Sequence, residues 1–148
     1  MSNPSERVAL VACIDPDAYT ASSYTSDWVN MEYWHEAMAV VYAGVLGSSA
    51  TLNAKLMQAT SSTGANAKVV STATHQITAL TTASNDKQAI INLHADDLDV
   101  AGGFSFVALR ITIATSTSDA GGAIYGLRPR FGPASANDLA SVAQIIPA

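Results

Sequence analysis

The chain is poor in charge and in cysteine, and each shortage closes off a class of function. Only 13% of its 148 residues are charged, against about 25% in an ordinary soluble domain. Seven Lys and Arg face twelve Asp and Glu, for a net charge of −5. The basic residues are scattered, with only Arg128 and Arg130 close together. Nucleic-acid binding needs clustered cations that displace counterions from phosphate, so nucleic acid is not expected as a partner. Cys13 stands alone and excludes an internal disulfide. It lies in the apolar run Val8 to Ile14, where a buried, inert thiol is expected. That run is too short to span a bilayer and lacks both a basic start and a cleavage pattern. Neither a membrane partner nor a signal peptide is expected, and folding in a cytoplasm is.

Catalytic signatures are equally sparse. There is no Gly-x-Ser-x-Gly elbow, and His35, His75 and His94 fall in or at the ends of expected strands. Gly102-Gly103 and Gly121-Gly122 lead into strands rather than helices, so they read as turn glycines and not as phosphate cradles. Asp96, Asp97 and Asp99 beside His94 could offer hard oxygen ligands to calcium, but their spacing is not that of an EF-hand loop. A solvated acidic turn is the expectation, with no metal, no cofactor and no enzymatic activity.

What the chain does contain is alternation. In DDLDVAGGFSFVALRITIAT (96–115), Val107, Leu109, Ile111 and Ile113 take one parity and Phe106, Ala108, Arg110 and Thr112 the other. This is a strand with a buried face and an accessible one. The accessible face carries a single charge, and contact with protein is expected there. Further strands are expected at 7–14, 38–45, 50–60, 69–77, 88–93 and 123–130. Asp15-Pro16-Asp17 should stop the first, leaving a long loop over 15–27. A helix over Glu32–Ala43 is a weaker alternative to the strand at 38–45, because Glu, Ala and Met favour helices. Turns are expected at 61–66 and 116–122.

Seven to eight strands with regular turns and no alternating helices predict an all-β fold. The form expected is one antiparallel β-sandwich or jelly roll over residues 1–148, with a flexible start over 1–6. At 135–148 the chain ends in an apolar arm or a short helix. Ser135 to Asp138 has capping-box spacing, and Leu139, Val142, Ala143 and Ile146 follow with helical spacing. So little charge also implies that part of the surface is covered in use. Carbohydrate binding is the competing chemistry, since Trp28, Tyr33, Trp34, Tyr19 and Tyr24 could stack sugars; a core Trp and interface tyrosines are the plainer account.

The chain resembles small virion proteins of tailed bacteriophages and related prophage or gene-transfer-agent clusters. The resemblance rests on Trp28-Val29-Asn30-Met31, the apolar strand to Gly44, Gln58-Ala59-Thr60, the 96–115 segment and Arg128-Pro129-Arg130-Phe131. It covers roughly residues 25–148 and implies a head decoration (cement) protein. Such proteins bind the outside of the capsid, often as trimers, and clamp neighbouring subunits. The major capsid protein would be the partner, alongside sister copies, with the virion surface as location and assembly in the bacterial cytoplasm. Another virion component, such as a spike base or head–tail piece, is the nearest alternative. The expected interface comprises Phe106, Ala108, Arg110, Thr112, Tyr19, Tyr24, Arg128, Arg130, Ile145 and Ile146.

Overall fold

A computed structural model describes residues 3–71 and 74–148. Nine strands are present among them: β1 (Val8–Tyr19), β2 (Ser22–Thr25), β3 (Val29–Asn30), β4 (Trp34–Ala43), β5 (Thr51–Ala59), β6 (Lys68–Val69), β7 (Gln88–His94), β8 (Phe106–Ala114) and β9 (Ser118–Pro129). Short 3₁₀ turns are the only helical elements among the described residues. The first sheet has the order β1-β9-β4-β7, and the second β2-β8-β5-β6 with β3 also on β8. Every pairing is antiparallel.

Setting β3 aside, the strands pair from the outside of the chain inward: β1 with β9, β2 with β8, β4 with β7, β5 with β6. Rolling that nested hairpin over itself adds the pairs β4–β9 and β5–β8. This is jelly-roll topology, read directly from strand order.

The core lies between the sheets. Val107, Leu109, Ile111 and Ile113 of β8 meet Leu52, Ala54 and Leu56 of β5 there. From the first sheet come Ala37, Ala39 and Val41 of β4, Ile91 and Leu93 of β7, and Ile124 of β9. Trp34 is 1% exposed and fills one end of this core. Gly126 leaves room for it: a Cβ there would lie 2.5 Å from the indole ring. The three buried polar side chains among the described residues are bonded in place. Ser26 accepts the Leu109 N–H, Gln58 accepts the Asp99 N–H, and Ser118 accepts the Gly47 N–H.

Several local expectations are corrected. Asp15-Pro16-Asp17 does not end β1; a register shift between Ile14 and Asp17 takes up Asp15 and Pro16, and the strand continues to Tyr19. Proline lacks an N–H, and a bulge on an edge strand asks none of it. The expected loop over 15–27 thus contains the end of β1 and all of β2. Glu32–Ala43 is not helical beyond the 3₁₀ turn Met31–Tyr33, because alternate burial of Ala37, Ala39, Val41 and Ala43 outweighs helix propensity. The strand at 69–77 shrinks to Lys68–Val69, after which 75–80 touches β5 through isolated bridges; Thr72 and Ala73 lie outside the described residues. The turn at 116–122 is shorter than expected, since β9 begins at Ser118.

At the ends, Pro4–Glu6 forms a 3₁₀ turn, while Met1 and Ser2 lie outside the described residues. The tail is an extended arm after a 3₁₀ turn at Ala134–Asn137. Its Asp138 does not serve a helix cap. The carboxylate instead accepts the Leu10 N–H at 2.8 Å.

Candidate interaction surfaces

The outer face of the second sheet is the one foreseen from alternation. Phe106, Arg110 and Thr112 lie on it, half-buried. Thr112 shares a 2.9 Å hydrogen bond with Ser23, and Arg110 donates through Nε to Thr25 Oγ1 at 3.1 Å. Ala108 departs from the expectation, being 0% exposed. It pairs with Met57, itself buried, and a methyl group sits below the reach of such longer neighbours. Lys55 stands directly opposite Arg110.

The remaining expected interface residues are spread over three other regions. Tyr19 and Tyr24 meet at a tilt of 51° with ring centroids 4.4 Å apart and pack against the core. Their hydroxyls are used locally, by the Asp15 carbonyl and, at 2.9 Å, the Thr20 carbonyl. Burial and the nearby Asp15 push the Tyr19 phenol above its usual range. Arg128 lies 3.6 Å from Glu36, and Arg130 donates to the Trp34 carbonyl at 3.2 Å. Ile145 and Ile146 are exposed on the arm.

A second surface went unforeseen: the outer face of the first sheet. Its cross-strand rows read Val8–Leu127–Glu36–His94, Leu10–Tyr125–Met38–Asn92 and Cys13–Ala123–Val40–Ile90. Beyond them come Gly121, Tyr42 and Gln88. The middle of this face is apolar and carries no charge. Ile90 is 59% exposed and Tyr42 44% exposed. Val40 and Ala123 are buried without belonging to the core between the sheets. The signal was the run Ala37 to Ala43, apolar on both parities, which marks a strand with two faces out of water.

No model of a known protein family matches the chain, and no curated protein matches it. Among solved structures it is similar to a chain of the infectious bursal disease virus Gt strain, with a TM-score of 0.43 and 10% identity. The match covers 90% of this chain and 34% of that one, so the chain spans about a third of that protein's length. It is also similar to a chain of the cowpea mosaic virus top component, naturally occurring empty particles, with a TM-score of 0.40 and 8% identity. There 90% of this chain and 96% of the other are covered. Likeness at this level is one of general shape.

The chemical candidates have local structural partners. Asp97 accepts the His94 N–H at 2.8 Å and lies 3.1 Å from His75 Nε2. Asp99 pairs with Lys68 at 2.7 Å and accepts the Gly102 N–H at 3.0 Å. These bonds, the Lys68 one foremost, hold the Asp99 carboxyl below the usual range. The acidic turn therefore spends two of its carboxylates on different neighbours. Among the described residues no three His, Cys, Asp or Glu side chains converge on a point that could hold a metal ion. Cys13 is half-buried on the outer sheet face rather than sealed in the core. Burial, and then Asp15, raise its thiol above the ordinary range. Of the aromatics, Trp34 belongs to the core, while Tyr33 and Phe131 form an exposed edge-to-face pair at 6.3 Å. Their neighbours Glu32 and Arg130 line a cavity of about 390 Å³ with Asp96 and Phe104. Among the described residues no helix is long and apolar enough to cross a membrane.

Proposed function

We propose that the chain is a non-enzymatic structural protein of a virion, a head decoration protein that docks on the outside of a capsid and bridges its subunits. The observation that carries this reading is the apolar outer face of the first sheet, spanning β1, β9, β4 and β7. Jelly rolls serve as capsid, lectin and cupin-type domains, and the fold alone does not choose among them. The site chemistry favours the first. The space between the sheets is occupied by aliphatic side chains and Trp34, which leaves no interior metal or sugar pocket among the described residues of the core. An apolar middle without charge suits burial against protein, at roughly 25 cal/mol per Å² of apolar area. The major capsid protein is the proposed partner, with self-association of the chain, as trimers, at the points where capsid subunits meet. Many weak copies on one shell gain by multivalency.

The direct test is a cryo-EM reconstruction of the particle whose genome encodes the chain. Density for the jelly roll on the outer surface, with the β4 face turned inward to the shell, is the expected result. Its absence from the particle, or a position inside the head or in the tail, overturns the reading. A second reading has one observation in its favour: the exposed Tyr33–Phe131 pair beside the acidic and basic groups of Glu32, Asp96 and Arg130 could stack and hydrogen-bond a sugar. A glycan array with the purified protein, and with Tyr33→Ala as comparison, tests it; a saccharide bound by the wild type and lost in the variant favours this second function.

A further inference from the structure

The chain has seven basic residues, and two of them, Lys55 and Arg110, are half-buried while the other five are exposed. These two stand directly opposite each other across β5 and β8 on the outer face of the second sheet. Like charges opposite one another on a sheet destabilise it. Two other cations have acids beside them, Lys68 with Asp99 at 2.7 Å and Arg128 with Glu36 at 3.6 Å, whereas Arg7, Lys87 and Arg130 are exposed to solvent. Lys55 and Arg110 have no carboxylate within ion-pairing distance among the described residues. Arg110 spends Nε on Thr25 Oγ1, which fixes its guanidinium while leaving its terminal nitrogens without an anionic partner. The pair borders a depression of about 300 Å³ whose other walls are Asn53, Ala54, Gln76 and Thr112, none of them acidic. In a chain of net charge −5, two half-buried, juxtaposed cations concentrate positive charge on one spot of the second sheet, which suits an anionic group.

We propose that Lys55 and Arg110 together receive a carboxylate from an acidic segment of a docked partner protein. A planar guanidinium can take both oxygens of a carboxylate while the ammonium adds a point charge. The arrangement fixes the register of a partner segment laid over the second sheet, while the apolar first sheet supplies adhesion elsewhere. The inference rests on the reading of the chain as a docking protein, and it names the chemistry of the group docked.

The test uses the purified chain and a fluorescein-labelled acidic octapeptide of alternating Glu and Ser, with its Gln counterpart and inorganic sulfate as comparisons. Fluorescence anisotropy is read for wild type, Lys55→Gln/Arg110→Gln and, as a control of equal charge change, Arg7→Gln/Lys87→Gln. NMR shift mapping on the wild type locates the peptide. The expected result is binding of the acidic peptide, shifts centred on β5 and β8, and a loss of about tenfold or more in the first double variant alone. A melting temperature raised in Lys55→Gln without ligand is expected too, as the repulsion is relieved. Equal loss in both double variants shows only nonspecific charge attraction and overturns the proposal. So does sulfate binding at the pair with no preference for the Glu peptide. Capsid attachment is measured separately by co-sedimentation with particle heads: if the peptide fails while heads still bind, the carboxylate site is wrong and the decoration reading stands.

Discussion

Asp138 holds the backbone N–H of Leu10 at 2.8 Å, across 128 positions of sequence. The next residue, Leu139, donates its own N–H to the Leu10 carbonyl at 2.9 Å. Both polar groups of one β1 residue are thereby closed off by the C-terminal arm. Three residues on, the Cys13 N–H is taken by the Asp27 carboxylate at 3.3 Å. An edge strand with free N–H groups is a template for pairing with another chain, and these carboxylates blunt it. The arm is thus part of the sheet's finish rather than a loose end, although its last isoleucines stay exposed.

Removing that clasp has a definite cost. Asp138→Ala is expected to destabilise the fold by about 1.5–3 kcal/mol, the range for a hydrogen bond to a charged group. The arm should become more sensitive to protease. Asp138→Asn keeps an oxygen acceptor and should lose less. Urea denaturation and limited proteolysis read both effects; an Ala variant as stable and as resistant as wild type would remove the clasp from the account.

Gly126 and Trp34 make a second dependence. A β-carbon at position 126 would stand 2.5 Å from the indole, inside any real contact distance. Gly126→Ala is expected to cost about 1–3 kcal/mol through overpacking. Its urea midpoint should fall and the Trp34 emission should shift red. A midpoint within error of wild type would mean that the ring gives way freely.

The sequence showed the core of the second sheet almost residue by residue, because β5 and β8 each put one apolar parity inward and a different parity outward. It was less legible at Pro16, where a bulge lets β1 pass a residue that normally ends strands. The first sheet misled in a different way. Alanines at 37, 39 and 43 read equally as helix formers and as small inward residues of a strand, and local propensity does not choose between them. Asp138 imitated a helix cap because the spacing of a cap is local, whereas its partner Leu10 is not. The pairing of Lys55 with Arg110 was hidden for the same reason, since register between distant strands is a tertiary property.

Asp99 predicts a pH dependence. Its bonds to Lys68 and to the Gly102 N–H lower its pKa in the folded state relative to the unfolded chain. A depressed carboxylate contributes stability above the ordinary carboxylate range and loses it as pH falls through the lowered value. Wild type should therefore lose melting temperature more steeply than Asp99→Asn as pH is taken from about 6 to about 2. Parallel melting curves for the two proteins would deny Asp99 this role.

Cys13 predicts a chemical reactivity. Burial first, and then the negative charges of Asp15 and Asp27, keep its thiol protonated. Alkylation by iodoacetamide at about pH 7 should be slower than for a free cysteine peptide and should rise at alkaline pH. Asp15→Asn should speed it. A rate at neutral pH equal to that of the free peptide would contradict the electrostatic account.

The outer face of the first sheet carries the most consequential prediction. Ile90 sits on the edge strand β7, paired with Val40, and 59% of it meets solvent. A side chain so exposed contributes little to folding, so Ile90→Glu should change stability by no more than about 0.5 kcal/mol. Placed on an apolar docking surface, the same glutamate would be buried without a partner and would repel the contact. Binding to particle heads should then fall by at least about tenfold, with the melting temperature nearly unchanged. Asn53→Glu, on the opposite sheet beside the Lys55–Arg110 pair, distinguishes the surfaces: it should leave adhesion through the first sheet in place while offering the cations an internal acid. If Ile90→Glu binds heads as wild type does, the apolar face is not the adhesive one, and docking must be sought on the second sheet or along the arm.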